Sequence, residues 1–164
     1  MVKNSRRLQP NQVTYISSLG QYQDAIGKQP EALVAYRDAM KIDPTNALVL
    51  NNLAMLMTDT GGNLDEALSL AQRAKQQMPN VPEVSDTIGW IYIKKNLADS
   101  AIEIFKDLTD KFKDNSTFHY HYGIALAKKG DKDNALREFN LALKAKTKTK
   151  HEEASINEQI RKIS

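Results

Sequence analysis

The chain has 164 residues, of which 41% are hydrophobic and 26% are charged, and its net charge is +3. These values are typical of a globular protein and exclude a disordered chain, and so mild a positive charge does not by itself indicate a nucleic-acid partner. The sequence has no cysteine and no apolar run of membrane-spanning length. Disulfides, cysteine nucleophiles and thiolate metal sites are therefore excluded, and no membrane span is expected.

The first segment, "MVKNSRRLQPNQ", is basic but is not followed by the apolar stretch of a signal peptide. We therefore expect residues 1–12 to be an N-terminal extension, and the cytoplasm is the default location. Amphipathic segments follow from Val13 to the end of the chain. Their wealth of Ala, Leu, Lys and Glu, with few prolines and glycines, favours helices over strands.

A repeat with a period of about thirty-four residues runs along these segments. In each copy a small residue is followed four positions later by a second, usually aromatic, residue: Ala32 and Tyr36, Ala67 and Ala71, Ala101 and Phe105, Ala135 and Phe139. A second motif lies upstream of each copy: Leu19-Gly20, Leu53-Ala54, Ile88-Gly89 and Tyr122-Gly123. Each repeat thus contains two amphipathic segments.

Helix-breaking residues separate the two segments of each repeat. They are Gly27, the pair Gly61-Gly62, Asn96 and Gly130, which stand where a helix end favours a left-handed residue. The second segments begin with residues typical of helix starts, such as Pro30, Asn63 and Asp131. The pattern predicts four helical hairpins.

This pattern resembles the tetratricopeptide repeat family from about Val13 to Lys146. The resemblance implies an all-α, right-handed superhelical solenoid of four helix-turn-helix hairpins with a C-terminal capping helix. The expected repeats are residues 13–46, 47–81, 82–115 and 116–148, and the expected capping helix is 149–164, with Ala154, Ile156, Ile160 and Ile163 at helical spacing. Within the hairpins, close helix packing predicts that Gly20, Gly89 and Gly123 face Ala32, Ala101 and Ala135.

In this family, one stripe of each first helix lines a concave, ligand-binding surface, and the resemblance assigns to it repeat positions two, five, nine and twelve. The residues expected to form a peptide- or protein-binding groove are Asn51, Met55, Asp86, Trp90, Ile93, Tyr120 and Ile124. An exposed apolar patch of this kind usually binds another chain. The alternative is that the chain's own ends, the segment before Val13 or the capping helix, cover the patch.

Some members of the family bind chaperone tails through a clamp of lysine, asparagine and arginine. Only Asn52 matches that clamp here, because Ser17, Gln21, Glu83 and Thr87 occupy the other positions. No carboxylate clamp is therefore expected. Acidic residues in the groove instead suit a ligand with apolar anchors and a basic residue, unless they are ordinary solvated charges: Asp24, Asp59, Glu83 and Asp86.

No sequence motif indicates catalysis, a cofactor or a metal. His119 and His121 are two positions apart and so point to different faces of a helix. Motifs for nucleophilic hydrolysis, phosphate binding and zinc binding are missing from the sequence. The protein is therefore predicted not to be an enzyme.

We therefore expect a scaffold that binds a protein or peptide segment with apolar anchors. One alternative is a self-assembly module that forms homo-oligomers, and a more distant one is an RNA-binding helical repeat. Nucleic acid is disfavoured because Lys144, Lys146, Lys148 and Lys150 lack neighbouring aromatic residues and are interpreted as a solvated linker. The segments from Asp86 and Phe118 also resemble repeats of bacterial proteins that export or assemble envelope polysaccharide, which implies a periplasmic fragment.

Overall fold

The computed structural model describes the backbone of residues 5–145 and 150–164, and the side chains of residues 11–145 and 152–164. This described part of the chain consists of helices joined by short turns and has no strand. The helices are α1 (Ser5–Ala25), α2 (Gln29–Ile42), α3 (Ala47–Asp59), α4 (Leu64–Gln77), α5 (Pro82–Lys94), α6 (Ala98–Lys111), α7 (Ser116–Lys129), α8 (Lys132–Lys144) and α9 (Lys150–Ile163). The all-α prediction is confirmed.

The repeat bounds stay a prediction, and the helices begin near several of them. Helices α3, α5 and α7 begin at Ala47, Pro82 and Ser116, the first residues of the second, third and fourth predicted repeats. Helix α1, however, begins at Ser5, so residues 5–12 continue the first helix rather than forming a separate extension. The predicted boundary at 148/149 and the lysines at 146 and 148 lie outside the described residues. A membrane-spanning helix, which needs both sufficient length and an apolar composition, is not found among the described helices.

Side-chain caps fix several of these starts. The amide oxygen of Asn63 accepts hydrogen bonds from the backbone N–H groups of Asp65 and Glu66 at 2.9 and 3.0 Å. The carboxylate of Asp131 accepts from the N–H of Asn134, and Pro30 occupies the first turn of α2. These caps satisfy N–H groups that have no partner inside the helix.

The predicted left-handed residues occur at the helix ends. Gly27, Gly61 and Gly130 have φ values of 78°, 72° and 90°. Asn96, which holds the same place after α5, has a φ of 60° and is the one non-glycine residue with positive φ in the described part of the chain. Asparagine tolerates this conformation better than most residues, which explains why the third repeat has an asparagine in place of a glycine here.

The chain divides into two compact units, Met1–Thr87 and Ile88–Ser164. In the first unit, α1 packs against α2, α2 against α3, and α3 against α4. One of its apolar clusters joins Val13, Ala39 and Val49 from three successive helices. Arg73 also donates a hydrogen bond of 2.6 Å to the carbonyl of Pro44, linking α4 to the turn before α3.

In the second unit, α6 packs against α7, α7 against α8, and α9 against both α7 and α8. One cluster contains Ile93, Phe105, Leu108 and Phe118, and a second is built around Phe139. Ile156 of α9 is 1% exposed in the second cluster, and Ile160 and Ile163 pack against it. Helix α9 therefore covers the last hairpin with its isoleucines, as the sequence pattern indicated.

The glycines of the first helices contact aromatic rings, which corrects the expected glycine–alanine pairing. A Cβ atom added to Gly123 would lie 2.5 Å from Cε1 of Phe139, and one added to Gly89 would lie 2.6 Å from Cζ of Phe105. At Gly20 the nearest atom is Cε1 of Tyr36, at 3.0 Å. In these three repeats the shared spacing therefore places a ring over a glycine, because only a residue without Cβ leaves room for it.

Candidate functional site

The second unit contains an open concavity of about 550 Å³, which lies beside α5 and α7, the first helices of their hairpins. Residues of α5, α7 and α9 line it: Trp90, Ile93, Lys94, Tyr120, Ile124, Ala127, Lys128 and Gln159. Four residues of the predicted groove are thus brought together, namely Trp90, Ile93, Tyr120 and Ile124. Helical spacing explains the arrangement, since residues three and four apart share one face of a helix.

Trp90 is held on one side by a buried ring. Its indole stacks on the imidazole of His121, with 4.4 Å between ring centroids and 21° between ring planes. The ammonium of Lys94, one turn along α5, lies 4.7 Å from the indole centroid. Trp90 also packs against the apolar cluster that contains Phe105. The tryptophan is thus partly buried and positioned by its neighbours while it lines the concavity.

Helix α9 covers the other side of the concavity. The side chain of Gln159 is hydrogen-bonded to Tyr120, and the hydroxyl of Thr117 donates to Glu152 at 3.1 Å. Burial raises the pKa of the Tyr120 hydroxyl, and the hydrogen bond from Gln159 opposes this shift. The capping helix therefore covers part of the apolar patch, at Tyr120, as one of the two sequence interpretations allowed.

Among the described residues that line this concavity, the charged ones are both lysines. Lys94 stands four positions after Trp90, and Lys128 stands four positions after Ile124. The ammonium of Lys128 also donates to the side-chain oxygen of Asn96 at 3.1 Å. Sequence analysis missed this pair, although extending the stripe by one further helical turn would have found it.

Two residues of the predicted groove are buried instead of exposed. Asp86 is 5% exposed and Ile93 is 1% exposed, so Ile93 forms the floor of the concavity and Asp86 gives no open acidic charge. They occupy repeat positions five and twelve. With a helical advance of about 100° per residue, these positions lie closer to the core than positions two and nine.

A separate, polar concavity of about 290 Å³ lies in the first unit. It is lined by Gln21, Asp24, Ala25, Tyr36, Asn52 and Met55. Burial and the charge of Asp24 raise the pKa of Tyr36 to about 12, despite a hydrogen bond with Asn52. Burial and the neighbouring charge of Asp59 raise the pKa of Asp24. The acidic character expected of the groove is thus found here, in the first unit.

Asn51, another predicted groove residue, is partly buried one position before Asn52. Its side-chain oxygen is buried and accepts no hydrogen bond from any described residue. It does not line the polar concavity. Of the predicted groove residues of the first unit, the structure therefore places only Met55 in this concavity.

The two histidines of α7 have different surroundings. One ring nitrogen of His119 lies 2.6 Å from the carboxylate of Glu138, and the other lies 2.9 Å from the carbonyl oxygen of Lys113. His121 packs instead against Trp90 and Phe105. Among the described residues, no three His, Cys, Asp or Glu side chains are grouped to hold a metal ion.

Two tetratricopeptide repeat family models match the chain, one over residues 18–91 and the other over residues 87–148. The chain is also 31% identical over 103 residues to the protein CTR9 homolog of Arabidopsis thaliana. That match covers 60% of this chain and 9% of the plant protein, so the chain spans a small part of its relative.

Solved structures share the fold. The tetratricopeptide repeat protein TTC0263 of Thermus thermophilus superposes with a TM-score of 0.80 at 18% identity, covering 92% of this chain and 80% of its own. The MamA protein of Desulfovibrio magneticus, from residue 41 to its end, superposes with a TM-score of 0.69 at 16% identity, covering 82% and 75% of the two chains. With its repeated hairpins and both family matches, this chain belongs to the tetratricopeptide repeat family.

Proposed function

We propose that this protein is a non-catalytic scaffold that binds a segment of another protein in the concavity formed by α5, α7 and α9. Tetratricopeptide repeats are typical of protein-interaction scaffolds. The observation that carries the proposal is the position of Trp90, Tyr120 and Ile124 on one open, concave surface. Tryptophan and tyrosine contribute much of the binding energy of protein interfaces when they are desolvated by a partner.

The two aromatic residues are suited to binding because they are already positioned. His121 supports the indole of Trp90, and Gln159 holds the hydroxyl of Tyr120. Side chains that are fixed before binding lose little conformational entropy when a partner orders them. Most of the free energy of burying their apolar surface would therefore appear as affinity.

The charge of the concavity indicates which partner segments can bind there. Lys94 and Lys128 line the concavity, so a carboxylate beside an apolar anchor would meet a positive partner there. A basic segment would be repelled at the same place. We therefore propose a partner with large apolar side chains and neighbouring Asp or Glu, in place of the basic ligand that the sequence alone favoured.

A random peptide display library, selected on the wild-type chain, tests this function. Peptides that combine aromatic or large aliphatic residues with acidic residues are expected to be enriched. One synthetic peptide from the selection is then titrated, with the fluorescence of Trp90, the chain's single tryptophan, as the signal. For the variants the signal comes from a label on the peptide. Trp90→Ala and Tyr120→Ala are each expected to bind the labelled peptide at least about tenfold more weakly than the wild type.

Two matched variants serve as controls. Leu141→Ala removes a 39% exposed apolar side chain from α8, outside the concavity, and should leave the affinity unchanged. Lys106→Gln removes an exposed charge of α6, whereas Lys94→Gln and Lys128→Gln should each weaken binding, and less so at high salt. No enrichment of any peptide, or equal binding by Trp90→Ala, would contradict the proposal.

A further inference from the structure

Helix α1 exposes a stripe of large apolar side chains. Tyr15 is 69% exposed, Leu19 38% and Tyr22 63%, and Ile26, in the turn that follows the helix, is 48% exposed. Spacings of four, three and four residues place all of them on one side of the helix. We refer to Tyr15, Leu19, Tyr22 and Ile26 as the α1 stripe.

The α1 stripe points away from the packed side of its helix. The buried residues of α1 include Val13, Ser17 and Gly20, and a ring of α2 lies against Gly20. A helical advance of about 100° per residue puts Tyr15 and Tyr22 nearly opposite that face. The α1 stripe is therefore a second apolar face of the same helix.

The same repeat positions are buried in the later hairpins. Val49, Leu53 and Leu56 correspond to Tyr15, Leu19 and Tyr22, and they are 0%, 0% and 2% exposed. Val49 belongs to a cluster with Ala39 of α2, the second helix of the preceding hairpin.

The fourth hairpin repeats this relationship in the second unit. Phe118 occupies the position of Tyr15, is 2% exposed, and lies in a cluster with Leu108 of α6. In these later hairpins, the residues equivalent to the α1 stripe thus pack against the second helix of the preceding hairpin. On α1 that face is exposed.

Helix α9 exposes polar side chains, which include Glu153, Asn157, Glu158 and Arg161. Helix α1 differs, because its exposed residues include the apolar α1 stripe. A contiguous exposed apolar face of this kind marks an interaction surface.

We propose that the α1 stripe is a self-association surface, on which two copies of the chain pair α1 against α1 about a two-fold axis. Charge favours this occupant, since Asp24 is the one charged residue between Asn11 and Ile26 and two copies meet without like-charge repulsion. The polar face of α9 does not complement the stripe, which disfavours a head-to-tail chain of copies. A two-fold pair buries the stripe on both copies at once.

Sedimentation equilibrium over a wide concentration range measures this association. The wild-type mass is expected to rise from 18.4 kDa towards twice that value as concentration increases. Tyr22→Glu and Ile26→Glu place a charge in the interface and should raise the dimer dissociation constant by at least about tenfold. Leu48→Glu, at a 50% exposed position of α3 outside the stripe, should dimerise like the wild type.

A disulfide reporter locates the contact, because the chain has no cysteine of its own. Ser18→Cys lies next to Leu19 near the middle of the stripe and should form a covalent dimer under mild oxidation. Ser69→Cys, exposed on α4, should not. Circular dichroism and thermal melting verify that each variant is folded. A wild type that stays monomeric at high concentration, a Tyr22→Glu variant that dimerises like the wild type, or equal cross-linking at both cysteines would overturn the proposal.

Discussion

Trp90 and His121, on two first helices of successive repeats, form a stacked pair with 4.4 Å between their ring centroids. His121 is 8% exposed and also contacts Phe105, so it supports the indole from the core side. His121→Ala is expected to lower the free energy of unfolding by about 1–3 kcal/mol, because it removes the stacked contact and leaves a cavity. It should also increase the mobility of Trp90.

Chemical denaturation and fluorescence anisotropy measure the two effects of His121→Ala. His121→Phe keeps a flat ring at the same place and is the matched control, with near-normal anisotropy expected. An unchanged anisotropy in His121→Ala would show that other contacts hold the indole.

His119 makes stability depend on pH. Burial alone would lower the pKa of His119, but the hydrogen bonds to Glu138 and to the Lys113 carbonyl, with the charges of Glu138 and Asp114, raise it overall. A histidine whose folded-state pKa is raised contributes stability that is fully present below its unfolded pKa of about 6.5. That contribution is lost as pH rises through the folded-state pKa.

The free energy of unfolding is therefore expected to fall between about pH 5.5 and about pH 8.5, and Glu138→Gln should reduce this fall. Urea denaturation at both pH values provides the measurement. Glu103→Gln, which removes an exposed carboxylate from α6, is the control and should keep the wild-type difference. A Glu138→Gln profile equal to that of the wild type would exclude the pair as the cause.

Gly123 is expected to tolerate alanine poorly. Alanine favours helices over glycine by about 1 kcal/mol, yet its Cβ atom would lie 2.5 Å from the fully buried ring of Phe139. Overpacking of this kind costs about 1–3 kcal/mol, so Gly123→Ala should lower the melting temperature. Gly20→Ala is the comparison, since its Cβ atom lies 3.0 Å from the Tyr36 ring and should have a smaller effect. Equal melting temperatures for the two variants would argue against tight packing at Phe139.

Asn96 should accept glycine but resist alanine. The φ of Asn96 is 60°, a conformation that costs most residues about 1–2 kcal/mol but that glycine and asparagine tolerate. Asn96→Ala is therefore expected to lose about 1 kcal/mol of unfolding free energy, and Asn96→Gly less. Both variants remove the hydrogen bond from Lys128, so the difference between their free energies of unfolding reports the cost of the backbone conformation. Greater loss in Asn96→Gly than in Asn96→Ala would contradict this explanation.

Local signals in the sequence were sufficient to predict the helical hairpins. The caps at Asn63 and Asp131 and the left-handed residue at Asn96 depend on neighbours only a few positions away, and these predictions are confirmed. The start of α1 was missed because the repeat pattern begins only at Val13, although the helix itself begins at Ser5.

Contacts across helices were harder to predict. Periodicity identified Gly123 and Phe139 as special positions but did not pair them, because an alanine and an aromatic ring lie one turn apart on the facing helix. The binding groove stays a prediction, but the burial of its residues was equally hard to predict. Positions that share a face in a simple pattern differ in burial once neighbouring helices pack, as Asp86 and Trp90 demonstrate.

The sequence by itself determined the repeat, the all-α architecture and the family, because a thirty-four-residue period and its breakers are local properties of the chain. Tertiary structure alone decided which side chains remain exposed. It buried Ile93, left Lys94 at the concavity, and exposed Tyr22 where the later hairpins bury their counterparts. The physical reason is that exposure depends on which helix packs against each face, and that neighbour is set by the fold.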